Sequence, residues 1–310
     1  MRFIISSFIT LAVAATAVVA HPTKRSLSVN PPHSRNRHVD LTALPPADIS
    51  PVTNAKRFAQ GLPPLSPVKR RPHRGGPHQD EAYQHGGTHV ASAPRAETSP
   101  SPPTNVKCNI FAKTSDGASL GYISAAFNDF GEYGTPQASQ AGALEVSFKL
   151  SGDTSGASDL SQLNLLAASA PDAINSFPYL SATVGYMSDS DDLGSGSSNY
   201  VAITGNSGPS DPGSRPSSST SNSYSTRTGQ AANSETAIWT YDPATRDINA
   251  VWINTDGKSV STTFVYFIDG ETENGAGNTF LATGDFGAFQ GLFGCTDTCR
   301  PVKLTCVPPA

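Results

Sequence analysis

All seven histidines, His21, His33, His38, His73, His78, His85 and His89, precede all four cysteines, Cys108, Cys295, Cys299 and Cys306. Beyond residue 104 there is therefore no imidazole to serve as a base. A Ser-His-Asp triad, a Cys-His pair and a histidine-bound catalytic zinc are excluded from that part of the chain. What remains for hydrolytic chemistry is a pair of carboxyl groups, the device of glycosidases, which requires two of them about 5 to 10 Å apart across one cleft. The candidates are Glu132, Glu145, Glu235, Asp269, Glu271, Glu273 and Asp285. Sequence spacing brings no two of them together, and each reads first as a solvated surface group. Asp189, Asp191 and Asp192 in SDSDDLGSG offer alternating oxygens for calcium but lack the closing glutamate of a specific calcium loop, so a plain acidic loop is the preferred reading. No metal and no cofactor is expected.

In an exported chain the default fate of cysteine is a disulfide. Three pairings are possible among four cysteines. If the first and last strands are neighbours, Cys108 pairs with Cys306, leaving Cys295 with Cys299 in the tight CTDTC segment. Closing so long a loop is worth about 4 to 5 kcal/mol in the chain-entropy description. Zinc is the weaker alternative, for want of a partnering histidine. Tyr122, Phe127, Phe130 and Tyr133 surround the Gly-rich reversal AAFNDFGEYGTP and are the candidate ligand-binding residues, since exposed rings can stack on sugar faces. Packing over a sheet end is the competing role. Trp239 and Trp252 are expected in the core. No N-x-Ser/Thr sequon occurs.

The export signal is at the start. Arg2 precedes an apolar run from Phe3 to Val19 that ends in small residues, which is the form of a secretory signal peptide over residues 1–20, cleaved after Ala20. Residues 21–104 carry 11 basic and 5 acidic side chains, whereas the rest of the mature chain carries 9 basic and 20 acidic. The acidic part argues against nucleic acid or an anionic membrane as partner. No membrane association is expected once the signal is removed. The basic part is crowded with Pro, Ser and Gly and has no sustained apolar period, so it is expected to be disordered. Within it, Thr53 to Arg71 could cap about two helical turns, and the tract His73, His78, His85 and His89 could chelate metal weakly. Dibasic pairs at Lys24-Arg25 and Lys69-Arg70 suit a processing protease, which makes the segment a candidate propeptide, removed before the domain is exposed.

These groups must be positioned by strands. Residues 105–310 read as short β-branched and aromatic runs: 106–113, 119–127, 143–150, 179–187, 199–205, 236–241, 247–254, 259–268, 278–284 and 300–307. Asp116-Gly117, Asp242-Pro243 and Asp256-Gly257 mark reversals. Residues 158–170 fit a short helix or a strand equally, and 206–234 reads as a long flexible loop. The expected architecture is all-β, an antiparallel, jelly-roll-like β-sandwich of about ten strands.

The segment TNAKRFAQGLPPLSPVKRR (53–71) resembles one shared by uncharacterised fungal secreted proteins, where it lies between a signal peptide and a β-rich domain. LGYIS (120–124), AIWTYD (237–242), VWINTDG (251–257) and LATGD (281–285) are similar too. The resemblance implies a fungal extracellular protein and brings no catalytic residue; the cysteines lie outside it. The leading expectation is a non-catalytic extracellular or cell-wall-associated module recognising polysaccharide. A carboxylate-dependent carbohydrate-active enzyme is the alternative, and a secreted effector is a third.

Overall fold

The alternating runs form strands, and the strands pair into a ring. The computed structural model describes residues 27–37, 39–47, 104–150, 162–169, 173–269 and 276–310. The strands are β1 (Thr104–Thr114), β2 (Ser119–Ile123), β3 (Pro136–Gln137), β4 (Glu145–Leu150), β5 (Leu165–Ser169), β6 (Tyr179–Val184) and β7 (Tyr200–Asn206). They continue with β8 (Ser234–Glu235), β9 (Trp239–Tyr241), β10 (Asp247–Ile253), β11 (Ser259–Ser261), β12 (Thr263–Phe267), β13 (Thr279–Thr283) and β14 (Cys299–Val307). Three short helices accompany them: α1 (Ala173–Ser176), α2 (Ser223–Thr228) and α3 (Phe286–Phe293).

The pairing runs β14-β12-β13-β7-β6-β5-β4-β1, and β1 pairs back onto β14 from Asn109↔Val307 to Thr114↔Val302. All these pairings are antiparallel, so the main sheet is an eight-stranded barrel. The fold is all-β and antiparallel as expected, but the main sheet closes on itself where a two-sheet, jelly-roll-like sandwich was expected. Strand spacing is the same for either architecture. What decides closure is a contact between the two ends of the domain, which no local pattern encodes.

Alternate residues from all eight strands enter one buried cluster, among them Ile110, Val146, Leu165, Leu180, Ile203, Phe264, Phe280 and Leu304. The barrel interior is thus packed with side chains. β10 takes the β14 edge beyond β12, and its Ile248, Ala250 and Trp252 join the same cluster with Trp239 of β9. The opposite face of β7, β12 and β13 presents Tyr200, Val265, Phe267 and Leu281, which are covered by Phe289 and Phe293 of α3. Asp285 caps α3, its carboxylate accepting from Ala288 N–H at 3.0 Å, and Gly294 ends it in the left-handed conformation.

Both disulfides are those expected. Cys108–Cys306 ties β1 to β14 beside the seam that closes the barrel, and Cys295–Cys299 staples the turn after α3. Gly117 and Gly257 take positive φ, at 93° and 86°, in the two hairpin turns marked by Asp-Gly.

Of the two readings open for 158–170, residues 165–169 take the strand, because Leu165 and Ala167 alternate into the core, which a helix would not allow. Two expectations are corrected. The span 206–234 is not a structureless loop. It contains α2, capped by Asn222, and its polar side chains bond within the span: Asn206 Nδ2 donates to Ser234 Oγ at 2.8 Å, and Asn222 Nδ2 to the Ala232 carbonyl at 3.0 Å. Residues 27–37 and 39–47 belong to the segment expected to be disordered, yet they lie against the barrel, with Val29, Asn30 and Leu41 buried. An average over the whole basic segment dilutes these few anchoring side chains.

Candidate functional site

Two carboxyl groups in the domain are held far from their ordinary state. Glu132 lies in the NDFGE turn, where Asn128 organises the backbone: its Oδ1 accepts from Phe130 N–H at 2.9 Å and Glu132 N–H at 3.0 Å. The same asparagine donates from Nδ2 to Glu132 Oε2 at 3.0 Å and to the Asn278 carbonyl at 2.9 Å. Asn30 donates to Glu132 Oε2 at 3.2 Å. Glu132 is 1 % exposed, and burial raises its pKa from 4.5 to about 7 against the opposing pull of those amide bonds; the negative charge of Asp269 adds to the rise. Glu235 on β8 is also buried, and its pKa rises to about 8 through burial, with Asp191 adding to the rise and a bond from Ile253 N–H opposing it. Its Oε1 has no hydrogen-bond partner, as suits a protonated acid.

Register shows that these two acids cannot act on one substrate. Directly opposed residues of an antiparallel pair share a face. Glu235 stands opposite Ala182, a member of the interior cluster, whereas Glu132 bridges Thr204, whose chain neighbour Ile203 belongs to that cluster. The acids therefore occupy opposite faces of the sheet. Glu145 is paired with Lys107 at 2.7 Å, and Asp285 is committed to its helix cap and to Gly196 N–H at 2.8 Å. Glu271 and Glu273 lie outside the described residues.

The aromatic residues around the reversal do not form an open platform. Tyr133 and Phe130 are fully buried, Phe127 packs on Tyr133 and Phe177, and Tyr122 is half-buried against Phe111 at 4.8 Å between ring centroids. The turn is drawn inward because Tyr133 N–H donates to the Ile203 carbonyl at 2.8 Å and Phe280 N–H donates to the Tyr133 carbonyl at 2.9 Å. It is thereby inserted between β7 and β13. Trp239 and Trp252 are core residues, as expected.

A polar pocket of about 480 Å³ opens instead beside the β6–β7 connection, lined among others by Tyr186, Asp189, Asp191, Tyr224, Gln230 and Asn233. Its central pair is rigidly held. Asn233 Nδ2 donates to Asp191 Oδ2 at 2.7 Å, while Trp252 Nε1 donates to the Asp191 carbonyl at 2.8 Å. Tyr186 is fixed at the rim by Arg35, whose Nη1 donates to its hydroxyl at 3.1 Å. The volume lies within the range usual for small-molecule sites. Asp192 points elsewhere, accepting from Thr255 N–H at 2.6 Å and from its hydroxyl at 3.0 Å, so the three aspartates do not gather. Among the described residues no group of three potential metal ligands occurs, and no helix is long and apolar enough to cross a membrane.

Of the residues singled out from sequence, Asp191 lines this pocket together with Asp189. Asn233, Gln230, Tyr186 and Tyr224 carried no motif that could have announced them. The processing residues Ala20, Lys24, Arg25, Lys69 and Arg70 lie outside the described residues, as do the segment 53–71 and the tract His73, His78, His85 and His89. No protein-family model, curated protein or solved structure matches the chain.

Proposed function

We propose that the protein is a non-catalytic extracellular module, of fungal cell-wall type, that binds neutral sugar units of a polysaccharide in the pocket between Tyr186 and Asn233. The observation that carries this reading is the Asp191–Asn233 pair, a carboxylate and an amide held side by side in a preformed cavity. Each sugar hydroxyl both donates and accepts, so vicinal hydroxyls are matched by a carboxylate acceptor beside an amide that can do either. The half-buried ring of Tyr186 supplies the apolar wall that a pyranose face needs. Export agrees with the two disulfides. The test is retention on insoluble cell-wall polysaccharides, with elution by soluble oligosaccharides and analysis of the eluate for new reducing ends. Retention with the polymer intact supports the reading. Absence of retention on any neutral polysaccharide contradicts its recognition half, and release of new ends its non-catalytic half.

One observation favours the enzymatic alternative. Glu132, half-ionised near neutrality, has Asp269 as a neighbouring acid, both being buried in the network around Asn128 and Asn278. Glu132 lies beneath Asn30 of residues 27–37, so the alternative requires this segment to leave.

A further inference from the structure

Residues 27–37 and 39–47 run across the outside of the barrel as a strap, fastened at widely spaced points. Val29 enters the apolar cluster of Phe289 and Phe293, and its carbonyl accepts the hydroxyl proton of Tyr200. Asn30, 3 % exposed, bonds Glu132. His33 lies over the Phe130 ring at 4.6 Å. Further along, Arg37 N–H donates to the Arg227 carbonyl at 2.8 Å, and the Arg227 guanidinium returns a bond to the Val39 carbonyl. Leu41 packs on Phe177, and Ser176 Oγ donates to the Pro45 carbonyl at 2.8 Å. The last fastening is Ala47 N–H to the Asn175 carbonyl at 2.7 Å.

Both candidate processing pairs flank this strap: Lys24-Arg25 precedes it and Lys69-Arg70 follows it. A cut at either place removes none of its contacts. We propose that the strap is not discarded on processing but stays seated on the barrel as a second, non-covalently bound chain, and that the groove running from α3 to α1 is its dedicated binding surface. Three features support retention. Departure would take the Asn30 amide from Glu132 and the Val29 carbonyl from the Tyr200 hydroxyl, and would expose the ring cluster under Val29. The contacts combine apolar anchors at both ends with main-chain bonds between them, the pattern by which grooves hold extended peptides. The charges are complementary, since the amino-terminal segment is basic and the domain acidic. Retention would also keep Glu132 sealed, which bears directly on the enzymatic alternative.

The test is to cut the purified full chain after Arg70 with a dibasic-specific protease, verify cutting under denaturing conditions, and apply the product at micromolar concentration to size exclusion and native mass spectrometry. Co-migration of the two pieces in a one-to-one complex is expected, which at that loading requires a Kd below about 1 μM. The doubly substituted chain V29S/N30A, altered only in the strap, should after the same cut lose its small fragment at least tenfold more readily. Release of the wild-type fragment from a still-folded domain overturns the proposal. So does equal retention of the V29S/N30A fragment, which would place the affinity elsewhere.

Discussion

Replacing Glu132 by glutamine should make the protein more stable at neutral pH and flatten its response to pH. In the folded state the Glu132 pKa is about 7, against an ordinary 4.5; for Glu235 it is about 8. A group whose folded pKa lies above its unfolded value favours folding most when protonated. Its contribution is fully present below the unfolded value, near 4.5, and is lost as pH rises through the folded value. The gap for Glu132 corresponds to about 3 kcal/mol and that for Glu235 to about 5 kcal/mol, upper bounds for a single domain. Wild-type stability should therefore fall between pH 5 and pH 8. Below pH 4 the opposite sign takes over. Asp40, Asp116, Asp242, Asp256 and Asp285 have pKa values lowered by hydrogen bonds to Thr42, Thr114, Ala244, Lys258 and Gly196 respectively, and what they contribute is lost as pH falls through those values. The optimum is expected near pH 4 to 5. Urea unfolding from pH 3 to pH 9, with disulfides intact, measures the whole curve. Glu132→Gln should remove the loss between pH 5 and 7, and Glu235→Gln the loss between pH 5 and 8. Stability that is flat or rises from pH 5 to pH 8 in the wild type would refute the reasoning.

Other expectations are equally direct. Replacing Cys108 and Cys306 by serine should cost about 5 kcal/mol in denaturant unfolding, because the bridge spans 198 residues, whereas removing Cys295–Cys299, separated by 4, should cost only about 2 kcal/mol. Gly134→Ala should prevent folding, seen as loss of soluble protein on expression, because a Cβ at that position would overlap the Asn278 carbonyl and push apart the segments that enclose Glu132. Asp285→Ala should lower the denaturant midpoint, through loss of the α3 cap and of the bond from Gly196 N–H.

Much of the fold was legible because strands declare themselves locally. Each of the ten expected runs overlaps an observed strand, and the run 259–268 divides at Thr262, whose N–H and hydroxyl both bond the Ala250 carbonyl. Closure was not legible, since it rests on β1 meeting β14 across the length of the domain; the conditional pairing of Cys108 with Cys306 was the nearest hint. β3 and β8, of two residues each, are too short to carry a period. The candidate site was hidden for a related reason. Asp191 and Asn233 are 42 positions apart, in stretches that read as loop, and only the fold of 206–234 onto β6 brings them within 2.7 Å. The aromatic reversal failed as a platform because its backbone completes the sheet between β7 and β13, a role that side-chain type does not reveal. Nor does composition reveal the strap: Val29, Asn30 and Leu41 are ordinary residues in a polar context, and it is the groove that gives them partners.

The sugar-binding reading stands or falls most directly on a titration of the wild-type protein and Asn233→Ala with neutral oligosaccharides, followed by tryptophan fluorescence. Trp252 is suited to report it, since its indole N–H bonds the backbone of Asp191 within the pocket wall. A saturable change in the wild type, weakened at least tenfold in Asn233→Ala and with the oligosaccharide recovered intact, is the expected result. Binding of equal strength in the two proteins, or no binding of any neutral oligosaccharide by the wild type, would contradict it.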